Sequence, residues 1–262
     1  MRSRKTIVRA LVARQLARNE EHANALIEDD RVTVNGAPVL NSGRQVSDGD
    51  DLAVLEFQQF VSRGGLKLEG ALEHFESLGS PVEVRGARVL DAGASTGGFV
   101  DCLLQRDAAE VTAVDVGRGL LHPRIATHPR VVVQDGVNAR DIAKLVTNGR
   151  IQGAFDLVVA DLSFISLTTV VDGLVAIARP GATMLLLVKP QFEAEKIEVD
   201  RGGGVIFDET IRRRCVDKVR SAIESTGATV VGEVESVIAG PAGNREYWLR
   251  VVTPVPRGSV TE

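Results

Sequence analysis

Residues 88–99 read Arg88-Val89-Leu90-Asp91-Ala92-Gly93-Ala94-Ser95-Thr96-Gly97-Gly98-Phe99. An apolar strand runs into a turn of small residues, and the helix that follows carries Phe99, Val100, Leu103 and Leu104. Small residues let a ligand approach the backbone closely, and the first turn of a helix offers N–H groups with no partner inside the helix. The spacing of Gly93, Ser95 and Gly97 is not the dinucleotide pattern GxGxxG, and no phosphate loop ending in Gly-Lys-Ser or Gly-Lys-Thr occurs in the chain. A nucleoside-type ligand therefore fits this turn better than a pyrophosphate.

The next strand ends at Val114-Asp115-Val116, where an acidic side chain can accept both hydroxyls of a ribose. The third ends at Val133-Gln134-Asp135, with Asn138 just beyond, and sets a second carboxylate near the expected position of an adenine. Together with Asp91 and the turn, these residues outline an adenosyl pocket. A Gly-rich turn also closes ordinary βα units, and Asp115 and Asp135 equally fit solvated strand ends.

Outward from this unit, apolar strands alternate with helical stretches: 88–90, 110–114, 131–133, 157–160, 184–188, 230–231 and 247–252. Seven strands separated by helices predict a doubly wound α/β sheet over residues 81–255. Before it, Ser62-Arg63-Gly64-Gly65 reads as a turn and Leu66–Leu78 as an amphipathic helix, so residues 59–80 form a linker and linker helix. Residues 1–58 form a separate small α+β module. Apolar residues at helical spacing predict a helix over 6–18 and another over 21–28, followed by a strand through Arg31–Val34, an Asn35-Gly36 turn, and short strands at Val39-Leu40 and 51–54.

Hydrophobic residues make up 44% and charged residues 25% of the 262, values that allow a sizeable soluble core. The two cysteines, Cys102 and Cys215, cannot build a disulfide framework, and a reducing cytoplasm is the expected compartment. No apolar run is long enough to span a membrane, and none reads as a signal peptide or a membrane-lytic segment. His22, His74, His122 and His128 lack metal-ligand spacing, so no metal is expected. The net charge of −4 disfavours indiscriminate binding to nucleic acid.

Two further strands end on charge. Asp161 follows Leu157-Val158-Val159-Ala160, and Lys189 follows Leu185-Leu186-Leu187-Val188, which aims an acid and a lysine into one crevice at the carboxyl edge of the sheet. Lys67 on the linker helix and Glu246 before the last strand complete a Lys-Asp-Lys-Glu set, in which a second cation would lower the basicity of a buried lysine. Taken singly, each residue also fits a surface ion pair.

Residues 62–68, 90–99, 161–166, 188–193 and 240–246 resemble the TlyA-type rRNA 2'-O-methyltransferases, formerly called hemolysins and related to the FtsJ-like enzymes. The resemblance covers nearly the whole chain. It implies a Rossmann-like domain binding S-adenosylmethionine, preceded by an RNA-binding module like that of small-subunit ribosomal protein four. Cofactor contacts are then expected from Asp91, Gly93, Ala94, Ser95, Thr96, Gly97, Asp115, Val116, Asp135, Asn138 and Asp161. Lys67, Asp161, Lys189 and Glu246 would form the catalytic tetrad, with Lys189 as base or orienter of the 2'-hydroxyl, Asp161 and Glu246 fixing it, and Lys67 tuning its pKa. The substrate implied is a cytidine ribose in ribosomal RNA, reached through a strip formed by Arg14, Arg18, Arg31, Arg44 and Arg63, with a homodimer as an open alternative.

The chain departs from this pattern at Asn19, Glu20 and Asp30 in the module, between Asp115 and Pro123, and at Gly136-Val137. Residues 1–60 carry eight basic and nine acidic side chains, a net of −1. The alternative substrate is accordingly a small molecule of a biosynthetic pathway, handled by a diverged member of the same family.

Overall fold

The computed structural model describes residues 4–29, 31–39, 41–55 and 59–255. Asp30, Leu40 and the expected module boundary at 57–58 lie outside the described residues. The N-terminal part runs β1 (Arg4–Thr6), α1 (Ile7–Ala13), α2 (Glu20–Glu28), β2 (Val32–Val34), β3 (Ala37–Pro38), β4 (Gln45–Ser47) and β5 (Leu52–Val54). Strand β2 pairs antiparallel with β3 and β5, and β1 with β4. Ile7, Leu11, Ala23, Leu26, Val32 and Val46 close a core of their own beneath the two helices. The Asn19 side chain accepts from the His22 amide at 2.7 Å, which caps α2 and satisfies one of its first free donors.

The helix expected over 6–18 stops at Ala13. Gln15 takes φ +61°, and the amides of Leu16 and Ala17 both turn back to the Leu11 carbonyl. The apolar spacing persists because Ala17 packs into the module core from that turn. Asn35 and Gly36 both have positive φ, as the Asn-Gly hairpin requires. The short strand expected at Val39-Leu40 lies two residues earlier, at Ala37–Pro38, while β1 and β4 carry too few alternating apolar residues to be seen in the sequence.

After α3 (Gly64–Ser77) the chain runs β6 (Arg88–Ala92), α4 (Gly98–Gln105), β7 (Glu110–Asp115), α5 (Pro123–Ala126), β8 (Val131–Asp135), α6 (Ile142–Thr147), β9 (Phe155–Ala160) and α7 (Val171–Ile177). It ends with β10 (Ala178–Val188), α8 (Pro190–Glu193), α9 (Lys196–Arg201), α10 (Glu209–Ser225), β11 (Thr229–Glu235) and β12 (Tyr247–Val252). Seven strands form one sheet of order β11-β12-β10-β9-β6-β7-β8, in which β12 alone runs antiparallel to its neighbours.

Successive residues of the central strands serve opposite faces. Val89, Leu157, Val159, Leu185 and Leu187 join the core under α3 and α4, whereas Leu90, Val158, Ala160, Leu186 and Val188 join the core on the other side. Covering on both faces explains the continuous apolar runs of the central strands. Leu90 is fully buried. We expect Leu90→Ala to cost about 3 kcal/mol in urea unfolding with an unchanged m-value; a loss under about 1 kcal/mol would contradict the packing described.

Candidate active site

The sheet order reverses between β6 and β9, and a crevice opens beyond the carboxyl ends of strands at such a switch point. The Asp161 amide donates to the Ala92 carbonyl at 3.1 Å, which joins the ends of β6 and β9. Two clefts meet there. One, of about 440 Å³, lies toward β7; the other, of about 360 Å³, lies toward β10, α3 and the segment before β12. Glu28, Gly93, Ser95, Asp161, Ser163 and Phe164 line both.

The first cleft is walled by Val114, Asp115, Val116, Leu120, Val137, Asn138 and Ile165. Asp115 accepts the Ser95 amide at 2.8 Å and the Gly117 amide at 2.7 Å, so the end of β7 fixes the turn after β6. Ala94 and Thr96 face the second cleft instead. Asp91, Gly97 and Asp135 line neither cleft. Asp135 differs from its expected place beside an adenine because it accepts the Gly119 amide at 2.8 Å and braces the loop after β7. Asp91 lies fully buried beneath the turn with no hydrogen-bond partner for either oxygen. Burial raises its pKa well above the carboxylate range, and the nearby Asp161 and Asp115 add to the rise.

The four charged residues form two ion pairs. Lys189 Nζ lies 2.5 Å from Asp161 Oδ1 and donates to Ser163 Oγ at 3.0 Å. Lys67 Nζ donates to Glu246 Oε2 at 2.7 Å, with both side chains nearly inaccessible. Glu246 thus fixes Lys67 rather than Lys189, because α3 carries Lys67 across to the segment before β12. Burial works against the charge on Lys67, yet Asp161 and Glu246 raise its pKa above the ordinary value, so it is a firmly charged partner. Burial also opposes ionisation of Asp161, but Lys189 and Lys67 hold its pKa below the usual range. Phe164, at φ +63° and 88% exposed, stands over the junction with its ring 5.2 Å from that of Phe192.

The five expected RNA-binding arginines sit in different surroundings, although Arg18 and Arg31 both act on His22 and His122. Arg14 donates to the carbonyls of Asp50, Ser47 and Asp48, Arg44 to Pro38, and Arg31 to Leu55 and Val61. Arg63 lines the second cleft, where burial lowers its pKa. Arg18 instead borders a groove of about 590 Å³ shared with His22, His122 and Pro123. Two residues of the N-terminal part reach the crevice without a signal in the sequence that points there. Glu28 lines both clefts, and Asp29, the residue after α2, accepts from Thr96 Oγ1 at 2.8 Å.

A doubly wound sheet with a ligand cleft at its switch point and a lysine-carboxylate pair at the mouth is the architecture of an α/β enzyme that binds its ligand at the strand ends. The chain belongs to the FtsJ-like methyltransferase family, whose model matches residues 60–252. It is 45% identical over 247 residues, 93% of this chain and 88% of the relative, to the 16S/23S rRNA (cytidine-2'-O)-methyltransferase TlyA of Mycobacterium tuberculosis. It is 37% identical to hemolysin A of Brachyspira hyodysenteriae over 82% of this chain and 86% of that one. A solved structure from Streptococcus thermophilus, described as a candidate hemolysin, matches with a TM-score of 0.72 and 31% identity over 99% of this chain and 92% of that one.

Half-buried Asp29 supplies a pH test of the contact between the two parts. Burial raises its pKa to about 6, against the opposing pull of the Thr96 hydrogen bond, Arg31 and Lys67. A raised carboxyl favours folding in its neutral form, so its contribution is complete below about pH 4 and is lost as the pH rises through about 6. Wild type should lose about 1–2 kcal/mol over that range relative to Asp29→Asn in paired thermal melts. Parallel pH profiles for the two proteins would contradict this.

Proposed function

We propose that the chain transfers the methyl group of S-adenosylmethionine to the 2'-hydroxyl of a cytidine ribose in ribosomal RNA. The observation that carries this reading is the Lys189–Asp161 pair at the junction of the two clefts. The shape of the turn beside the first cleft supports S-adenosylmethionine as the cofactor. A Cβ at Gly93 would fall 2.4 Å from the Asp161 carbonyl oxygen, so the turn presents bare backbone to a ligand. Asp115 at the end of β7 would hold the ribose hydroxyls, Val116 and Val137 the faces of the base, and Asn138 its edge. When bound, S-adenosylmethionine supplies a methyl group on a cationic sulfur, an electrophile that needs only a placed nucleophile.

The second cleft would take the ribose. A hydroxyl is a weak nucleophile, and positioning in line contributes much of the rate that an enzyme can gain here. An ammonium held at 2.5 Å by a carboxylate has no lone pair to accept a proton, so in the resting site Lys189 orients the hydroxyl by donating to its oxygen. Asp161 keeps that ammonium aimed, and Lys67 with Glu246 closes the floor of the cleft.

Two features favour RNA as the acceptor. The exposed Phe164 ring at the cleft mouth offers a face on which an unpaired base can stack. The groove lined by Arg18 also carries His22 and His122, whose pKa values burial lowers and Arg18 and Arg31 press lower, so neighbouring guanidinium groups set a positive field there. Phosphates passing along that groove would meet several donors at once.

Incubation with tritiated S-adenosylmethionine and purified ribosomal subunits should place label in subunit RNA, with a rate that falls steeply between about 50 and 200 mM salt as phosphate contacts are lost. Label found only in the small-molecule fraction of a cell extract would overturn the RNA assignment.

A further inference from the structure

The acidic end of α2 reaches the place where methyl transfer would occur. In the reading above, the first cleft holds the adenosyl group and the second the hydroxyl that accepts the methyl. The sulfur bearing that methyl must then lie where the clefts join. Of the side chains that line both clefts, Glu28 and Asp161 are acidic. Asp161 is neutralised by Lys189 at 2.5 Å. The Glu28 side chain makes no hydrogen bond or ion pair among the described residues, and the residue is exposed and lines both clefts.

Glu28 is held in this position. It ends α2, and the next residue, Asp29, accepts from Thr96 Oγ1 in the turn after β6 at 2.8 Å. Its surroundings pull in both directions: burial and Asp115 raise its pKa, and Lys189 lowers it. A carboxylate beside Asp115, with the nearby Lys189 ammonium already paired to Asp161, is suited to a ligand that brings a cation.

We propose that Glu28 is a specificity-determining residue that supplies the counter-charge to the cationic sulfur of S-adenosylmethionine, so that the N-terminal part of the chain distinguishes the charged cofactor from its neutral product. This rests on the cofactor reading given above. S-Adenosylhomocysteine keeps the adenosyl group, the ammonium and the carboxylate, and loses the methyl group and with it the positive charge at sulfur. The attraction to Glu28 therefore lapses when the methyl leaves, which favours exchange of product for fresh cofactor. An acidic residue at this position also gives a local reason for acidity in a module expected to be basic.

The test is calorimetric binding of S-adenosylmethionine, S-adenosylhomocysteine and sinefungin, a sulfur-free analogue with an ammonium in place of the methyl group, to the full chain. Wild type, Glu28→Gln and Glu28→Lys are compared after thermal melts confirm that each folds. A partly exposed charge pair predicts that Glu28→Gln weakens the two cationic ligands about five- to tenfold and S-adenosylhomocysteine less than about twofold. Glu28→Lys should widen the gap in the same direction. Equal weakening of all three ligands, or no change in any, would overturn the proposal. If wild type binds none of them, the cofactor reading itself fails and the proposal falls with it.

Discussion

The site depends on the closeness of two strand ends. Gly93, at φ +93°, lies so near the Asp161 carbonyl that a single added carbon would stand 2.4 Å from its oxygen. Only there can the turn after β6 and the end of β9 share one crevice, and β10, hydrogen-bonded beside β9, then delivers Lys189 to Asp161. A second close approach serves Lys67. A Cβ at Gly98 would meet Ser62 Oγ at 2.3 Å and the Gly65 nitrogen at 2.8 Å, so the start of α4 sits against the start of α3 and sets Lys67 opposite Glu246.

Pairing explains how four charges can be held at one buried point. An unpaired charge in such a place costs several kcal/mol, and removing one partner of a buried pair typically destabilises by about 3–5 kcal/mol because the other is left behind. The linker adds a further tie, since buried Asp101 on α4 accepts the Val61 amide and the Arg124 guanidinium, each at 2.8 Å. The turn, the linker and the N-terminal part are thus joined through neighbouring hydrogen bonds, with Thr96 and Asp29 as the link to α2.

The strands of the large sheet were legible because both of its faces are covered, which leaves unbroken apolar runs such as Leu185–Val188. Asp161 and Lys189 were legible for the same reason, as charges that end such runs. Pairing was not: the sequence suggests one cluster of four, and only the crossing of α3 to the segment before β12 shows that Glu246 belongs to Lys67. Asp135 follows the same strand-end logic as Asp115, yet a glycine turn draws it away to the Gly119 amide. Glu28 and Asp29 carry no local signal, since their place in the crevice depends on how the N-terminal part docks. Arg14 and Arg31 are legible in the sequence as cations, but their hydrogen bonds to backbone carbonyls are not.

The central claim is that Lys189 orients the methyl acceptor and has little part in holding the cofactor, since it lines the second cleft and not the first. The most direct measurement compares single-turnover methyl transfer with calorimetric cofactor affinity in Lys189→Met. The account predicts a rate lowered by about a thousandfold or more with affinity for S-adenosylmethionine within about threefold of wild type. A rate close to wild type, or rate and affinity falling together, would contradict it.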